Sequence, residues 1–313
     1  MKRKDNWKKA FAPASIGNLT VGFDIIGMAI EQPGDIVHAC FNNQKCVRVL
    51  SISGDGGKLP LPAHENTAGV AVLKLLEKLN TEQGIDLKIE KKMPLGSGMG
   101  SSAASAVAAV VAANALFENP LPKSELIDCT LAAEATAVGT AHGDNVFPSL
   151  LGGIVLIHTY NPLKIIQLPV PKNLQYVLVH PHLELLTAYA RSVVPKQVDL
   201  ATAIAQNAHT ATFVHALHTQ DYNLLQQSMF DTLAEPHRKQ FIPGYELIQK
   251  AALAKGAINC GISGAGPSMY ALGKPTTNMQ KIGEAIQAVW QRKGIGSEMY
   301  LGKVNTQGAH LLD

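Results

Sequence analysis

Cysteine is scarce. Cys40, Cys46, Cys129 and Cys260 are the only four in 313 residues, and no two form a C-x-x-C pair. That excludes a disulfide framework, and free thiols in a reducing cytoplasm are expected. Aromatic residues make up 5%, too few for the stacking platforms of a single-strand nucleic-acid binder. Charge of one sign is also lacking: 27 Lys+Arg against 24 Asp+Glu leave +3. A nucleic-acid partner would call for a more concentrated basic face. No long hydrophobic run occurs. The most apolar stretch, Ala103 to Phe117, is broken by Ser105 and Asn114. It is shorter than the roughly 20 residues of a membrane span, so no membrane partner is expected. The basic start (Lys2, Arg3, Lys4, Lys8, Lys9) leads into no clean apolar segment, because Asn18 and Asp24 interrupt it, and no signal peptide is read.

What is present is apolar surface. Hydrophobic residues reach 46% against 16% charged, enough for a sizeable core and against wholesale disorder. At roughly 150 residues per domain, the length suggests two domains. Residues 15–30 read as a loop entering a strand, and 34–53 as a hairpin around Asn42-Asn43. Residues 66–79 carry apolar positions at helical spacing, while Ile85, Leu87 and Ile89 alternate with polar residues as in a half-buried strand. A helix is expected from Pro122–Ser124 to about Gly139–Gly143. Strands are expected at 153–158 and 174–180, mostly helix over 198–255, a glycine loop and strand at 261–272, and a helix at 276–293. The order lacks a regular βαβαβ rhythm, so the fold class expected is α+β. Turn residues in NPLKIIQLPVPKN place the boundary within 161–173, giving domains 1–165 and 166–313.

The segment Gly96-Ser97-Gly98-Met99-Gly100-Ser101-Ser102 runs directly into an Ala/Val-rich helix. Alternating glycines let backbone N–H groups converge and let a bulky anion approach closely. The helix start adds unpaired donors and a partial positive charge, so the segment reads as a phosphate loop. Its serine hydroxyls suit a phosphate or Mg²⁺. No Lys-Ser/Thr follows the last glycine, so it is not a Walker A loop, and its spacing is not the dinucleotide fingerprint.

PLGSGMGSSAAS (94–105) resembles the second signature of the GHMP kinases, the galacto-, homoserine, mevalonate and phosphomevalonate kinases. APASIGNLTVGFDIIG (12–27) resembles their N-terminal signature, and GISGAGPSMYAL (261–272) their C-terminal glycine motif. The resemblance covers nearly the whole chain. It implies two α+β domains with the active site in the cleft between them, ATP and Mg²⁺ as cofactors, and a small-molecule substrate. HGDNVFPSLLGG (142–153), TAYARSVVP (187–195) and EPHRKQFIPGY (235–245) resemble the homoserine-kinase branch. That implies phosphorylation of L-homoserine to O-phospho-L-homoserine, on the way to threonine. A homodimer is common among such enzymes, although no residue demands one.

The resemblance assigns nucleotide binding to Pro94, Gly96, Ser97, Gly98, Met99, Gly100, Ser101 and Ser102, with Ser263, Gly264 and Gly266 shaping the cleft. It assigns the metal to Ser102 and Glu134, and the substrate to Asn18, Asp24, His142, Asp144, Thr187, Arg191 and Arg238. Asn145 is expected near the reacting hydroxyl and, with Arg191 and Arg238, carries the catalytic role. The chemistry is consistent, since arginine offers a planar fork to a carboxylate. Surface salt bridges are the alternative for both arginines. Asp24 stands in an apolar stretch and needs a partner or a ligand; a backbone bond would serve as well. Glu134 and His142, eight apart, share a face if their helix continues. His142 and Asp144 have no matching His–Cys cluster for a metal site. Asn66 is either an adenine contact or a helix cap. No unambiguous general base appears, so catalysis by alignment and charge neutralisation is expected. The rival readings are another small-molecule kinase of the family and a non-catalytic nucleotide- or metabolite-binding member.

Overall fold

The computed structural model describes residues 7–138 and 143–313. Two sheets carry the molecule. The first has the order β11-β1-β2-β4-β3 (β1, Lys8–Gly17; β2, Ile26–Asn42; β3, Val47–Ser53; β4, Gly84–Glu90; β11, His310–Leu312). β5 (Ile154–Tyr160) adds to the start of β2, and β6 (Leu163–Leu168) pairs with β5. The second sheet, β10-β7-β9-β8, is antiparallel throughout (β7, Gln175–Pro181; β8, Asn259–Ile262; β9, Met269–Gly273; β10, Ser297–Lys303).

Two sequence expectations are corrected. Residues 34–53 do not form a hairpin: β2 and β3 do flank the Asn42–Asn43 turn, but β4 inserts between them and pairs parallel with β3. Residues 15–30 do not simply enter a strand, because β1 already ends at Gly17 and a turn follows. The boundary at 165/166 falls inside β6, which belongs to the first sheet, and β11 returns the C-terminus to that sheet.

α1 (Thr67–Lys78), α2 (Ser101–Asn114), α3 (Lys123–Val138) and α4 (Gly143–Leu151) cover the first sheet. α2 is the central one. Alanine and valine surround it, and nearly every residue from Ala103 to Asn114 is buried. A helix that is apolar all round belongs in a core. It packs on β1 and β2, with α1 and α3 stacked on it. Beyond β7 come α5 (Thr187–Ser192), α6 (Leu200–Thr219), α7 (Tyr222–Ser228), the single turn α8 (Glu235–Arg238) and α9 (Tyr245–Ala254). α10 (Met279–Gln291) follows β9.

β7 shows how the period-two geometry of a strand joins the two halves. Tyr176 and Leu178 face the large core shared with the first sheet, while Val177 and Val179 face a second core under α9 and α10. The fully buried Tyr176 donates its hydroxyl to the Gln32 carbonyl (2.7 Å) and accepts from the Gln32 N–H (3.3 Å), linking β7 to β2. We expect Tyr176→Phe to lower the unfolding free energy by about 1 kcal/mol, as lost neutral hydrogen bonds do. Urea unfolding checks this, and an unchanged midpoint would contradict it.

Candidate active site

The glycine-rich loop follows β4 and ends at α2. Gly96, Gly98 and Gly100 all have left-handed backbones (φ +60°, +77° and +68°), so the alternation of glycines is a conformational requirement. A Cβ on Gly98 would collide with the Ser263 carbonyl and stand 2.7 Å from that of Gly266. Four successive carbonyls of the loop are held by the protein. Leu185 N–H bonds Gly96 O (3.1 Å), the Ser268 hydroxyl bonds Ser97 O (2.6 Å), the Ser263 hydroxyl bonds Gly98 O (2.8 Å) and Ser15 N–H bonds Met99 O (3.1 Å). In a trans peptide the N–H lies opposite the carbonyl. Anchoring the carbonyls therefore turns the N–H edges of these peptides the other way, where Ser97, Gly98 and Gly100 line a cleft.

Gly100 caps α2 without a side-chain hydrogen bond, so the first-turn donors of α2 are left for whatever enters the cleft. The Ser97, Ser101 and Ser102 hydroxyls and Glu134 Oε2 are buried with no hydrogen-bond partner among the described residues. Buried polar atoms are rarely left so. Four around one cleft indicate that the site is built for a ligand. Burial pushes the Glu134 carboxyl from 4.5 to about 7, against the opposing pull of the Ser102 hydroxyl and Lys91.

Beneath the loop lies an ion pair that the sequence did not reveal. Lys91 and Asp35 are bonded at 2% and 0% side-chain exposure. Lys91 Nζ also donates to the Ser101 carbonyl (2.8 Å) and Ser105 Oγ (2.7 Å). Ser105 donates to Asp35 (2.7 Å), whose second oxygen accepts from Lys92 N–H (2.9 Å). A buried pair is tolerable only with its remaining valences filled in this way.

The opposite end of the cleft carries the charged set. Asn18, Leu19 and Thr20 have consecutive left-handed backbones (φ 68°, 43° and 62°), and Asp24 follows at 63°. Non-glycine residues resist this conformation at about 1–3 kcal/mol each, so the surroundings must impose it. Asn18 Oδ1 accepts from Asp24 N–H, and Asn18 Nδ2 donates to Gly264 O, both at 3.0 Å. Arg238, buried at 4% exposure, donates to the same Gly264 carbonyl (3.0 Å) and to Ala190 O (3.1 Å). Arg191, in the last turn of α5, forms a two-pronged pair with Asp24 (2.6 and 2.9 Å). The Phe23 ring lies 5.3 Å from the Arg191 guanidinium and 5.1 Å from that of Arg238. Asp144 stands in the first turn of α4. Burial, then Asp24 and Glu134, push its carboxyl from 3.8 to about 7, against Arg191 and the Asn18 N–H. Beside it, Asn145 Oδ1 accepts from the Ser15 hydroxyl (3.0 Å).

The cleft thus gathers Asn18, Asp24, Asp144, Asn145, Thr187, Arg191 and Arg238 at one end. Gly96, Ser97, Gly98, Gly100, Ser101, Ser102, Glu134 and Gly264 form the other, joined by Ala265, which the sequence did not suggest. Other expected residues stand elsewhere. The Met99 side chain is fully buried in the core. Ser263 and Gly266 form the turn behind Gly98, and Pro94 lies outside the lining. Asn66 is also outside it. Its oxygen caps α1 through Ala68 and Gly69 N–H (3.0 and 3.4 Å), and its amide donates to Pro60 O (2.8 Å). α3 is described as far as Val138, and His142, expected to share a face with Glu134 if the helix continues, lies outside the described residues. Among the described residues no cluster of His, Cys, Asp and Glu could hold a metal unaided, and no helix is long and apolar enough to cross a membrane.

A helix start with unpartnered hydroxyls, facing two arginines across a cleft between two α+β halves, suits a small-molecule kinase. The chain belongs to the GHMP kinase family: the model of the GHMP kinases N terminal domain matches residues 66–153, and that of the GHMP kinases C terminal matches 213–292. Within the family it is similar to proteins named homoserine kinase. That of Chlorobium phaeobacteroides (strain BS1) is 43% identical, over 96% of this chain and 98% of the relative. That of Chlorobaculum tepidum is also 43% identical, over 96% and 97%. The crystal structure of homoserine kinase from Cytophaga hutchinsonii matches with a TM-score of 0.96 at 44% identity, over 100% of this chain and 99% of the other. A crystal structure of mevalonate kinase shares the fold alone, with a TM-score of 0.72 at 15% identity.

Two outcomes follow from this geometry. Gly98→Ala forces a Cβ against the 263–266 turn, and the resulting shift of the loop should lower kcat/KM for ATP by roughly 100-fold; steady-state kinetics reads it, and near-normal kinetics would contradict it. Glu134, Asp144 and Glu235, each raised to about 7, hold their protons more tightly folded than unfolded. The ligand-free protein should therefore lose stability as pH rises from about 4 through about 7, and level off above. Urea midpoints across that range check it, and Glu134→Gln should flatten the slope.

Proposed function

We propose that this chain transfers the γ-phosphoryl group of ATP to the side-chain hydroxyl of L-homoserine, giving O-phospho-L-homoserine and ADP on the way to threonine. The observation that carries the reading is the pairing of two ends in one cleft. One holds the orphaned serine hydroxyls at the start of α2, and the other holds Asp24 with two arginines. A zwitterionic amino acid suits the second end. Its carboxylate addresses Arg191 and Arg238, and its ammonium addresses Asp24, which Arg191 now neutralises. A mevalonate-like acid has no ammonium for Asp24. A non-catalytic binding protein has no need of the orphaned Ser102 and Glu134 oxygens.

The triphosphate lies along the N–H edge of residues 97–100 and the first turn of α2, where donors and helix dipole favour anions. Ser102 and Glu134 fit Mg²⁺, since a hydroxyl, a carboxylate and nucleotide phosphates make a hard-oxygen set. When bound, that ion supplies neutralisation of phosphate charge. Glu134 must give up its proton to serve. The adenine is assigned to the side of Asn66, whose amide keeps one N–H beyond its bond to Pro60. Asn145, fixed by Ser15 beside Gly100, directs the substrate hydroxyl. The hydroxyl oxygen forms the new bond to phosphorus, the bond to the β-phosphate bridging oxygen breaks, and the hydroxyl proton passes to the transferred phosphoryl group. A loose transition state permits this without a strong base, so positioning and charge supply the rate. The four cysteines are free, with Cys46 exposed, which supports a reducing cytoplasm as the compartment.

ADP release should be measured with ATP, Mg²⁺ and a panel of L-homoserine, D-homoserine, L-serine, L-threonine, mevalonate and shikimate. Turnover with L-homoserine is expected. Arg238→Ala should raise its KM roughly 10- to 100-fold, as for a lost charged hydrogen bond. Turnover only with another alcohol would contradict the substrate assignment. Asp144→Asn should keep kcat within about ten-fold, whereas loss of a general base costs 10²–10⁴. A larger loss, recovered at high pH, would contradict catalysis by alignment.

A further inference from the structure

Behind the substrate end of the cleft, Glu235 is buried at 8% exposure and lines no part of the cleft itself. Its carboxylate is fully engaged. Oε1 accepts from Ile262 N–H at 2.6 Å, and Oε2 accepts from the Tyr245 hydroxyl at 2.8 Å. The Thr20 hydroxyl stands 3.5 Å from Oε1. Thr20 Oγ1 also receives Asn259 Nδ2 (3.0 Å) and meets the Tyr270 hydroxyl (2.9 Å). The Thr20 hydroxyl spends its one proton on Glu235, so Tyr270 donates to Thr20. Even the backbone makes room for this cluster: a Cβ on Gly261 would collide with Thr20 Oγ1 and stand 2.6 Å from Glu235 Oε1.

Each group that meets here belongs to a segment tied to the substrate end. Thr20 is the third residue of the left-handed Asn18–Thr20 turn, which leads to Asp24. Glu235 opens the turn of helix that presents Arg238 three residues later. Ile262 precedes Gly264, whose carbonyl is shared by Asn18 and Arg238. The strained turn has no glycine to relax it, so its geometry must be imposed from outside. A single carboxylate touches all three segments on the side away from the substrate.

We infer that Glu235 is a positioning residue for amino-acid recognition: it sets the spacing between Arg238 and the Asn18–Asp24 loop without contacting substrate or nucleotide. This rests on the assignment of the charged end of the cleft to the amino acid. Loss of the carboxylate frees the turn and the helix from each other, and the substrate groups drift apart. The phosphate loop is held by Ser15, Leu185, Ser263 and Ser268, none of which Glu235 bonds. ATP binding should therefore be spared.

The test is steady-state kinetics on the full chain, with L-homoserine and Mg·ATP varied separately. Glu235→Ala should raise KM for homoserine roughly 10- to 100-fold while KM for ATP and kcat stay within a few-fold, since misplacement of about 1 Å carries such a cost. Glu235→Gln should recover much of the loss, because its amide oxygen still accepts from Ile262. Tyr245→Phe and Thr20→Val, which remove one tie each, should fall between, and they carry the test if Glu235→Ala does not fold. Wild-type homoserine KM in all folded variants, or equal loss of ATP and homoserine binding, would overturn the inference. Arg238→Ala in parallel separates the two claims. If it too leaves homoserine KM unchanged, the substrate end has been misassigned; if it raises KM while the Glu235 set does not, only the positioning role fails.

Discussion

The site depends on how one short stretch of backbone is gripped. Residues 96–100 have no side chain able to bind a triphosphate unaided. What they offer is a row of N–H groups, and those point usefully only because the carbonyls on the other edge are taken by both halves of the molecule. Ser15 comes from β1, while Ser263 and Ser268 come from the C-terminal glycine turn. The bonds that shape the loop therefore also join the two sheets. His180 extends the chain. Ser268 gives its one proton to Ser97 O, so the 3.1 Å contact with His180 Nδ1 requires that nitrogen to donate. Burial holds that imidazole down at about 4, neutral at ordinary pH.

The two ends of the cleft solve opposite electrostatic problems. The phosphate end offers partial charges from the backbone and keeps its one carboxyl, Glu134, close to neutrality. The substrate end holds full charges of both signs, partly compensated before any ligand arrives: Arg191 pairs with Asp24, and Arg238 is stacked and bonded to carbonyls. On the proposed assignment such an end suits a zwitterion, because each substrate charge meets one already in place and little reorganisation is required.

How much of this the sequence disclosed follows sequence distance. The glycine loop and α2 are contiguous, so local spacing was enough to read a phosphate loop there. Helical spacing gave α1, and alternation gave β4. The insertion of β4 between β2 and β3 was not legible, because a parallel pairing across some forty residues leaves no local trace. β1 was obscured by Pro13 and Gly17 within it, and β6 by the prolines around it. Arg191 and Arg238 came from the family resemblance only; their residue type is equally suited to a surface ion pair. Lys91 with Asp35, and Glu235 with Ile262, escaped notice altogether, since a buried charge looks like any other until its distant partner is seen.

A crystal structure of the protein with Mg²⁺, a non-hydrolysable ATP analogue and L-homoserine would test the account most directly. Phosphates are expected against the N–H edge of residues 97–102, the homoserine carboxylate between Arg191 and Arg238, and its hydroxyl beside Asn145 facing the γ-phosphate. Phosphates bound away from that edge, or an amino acid seated without contact to either arginine, would contradict it.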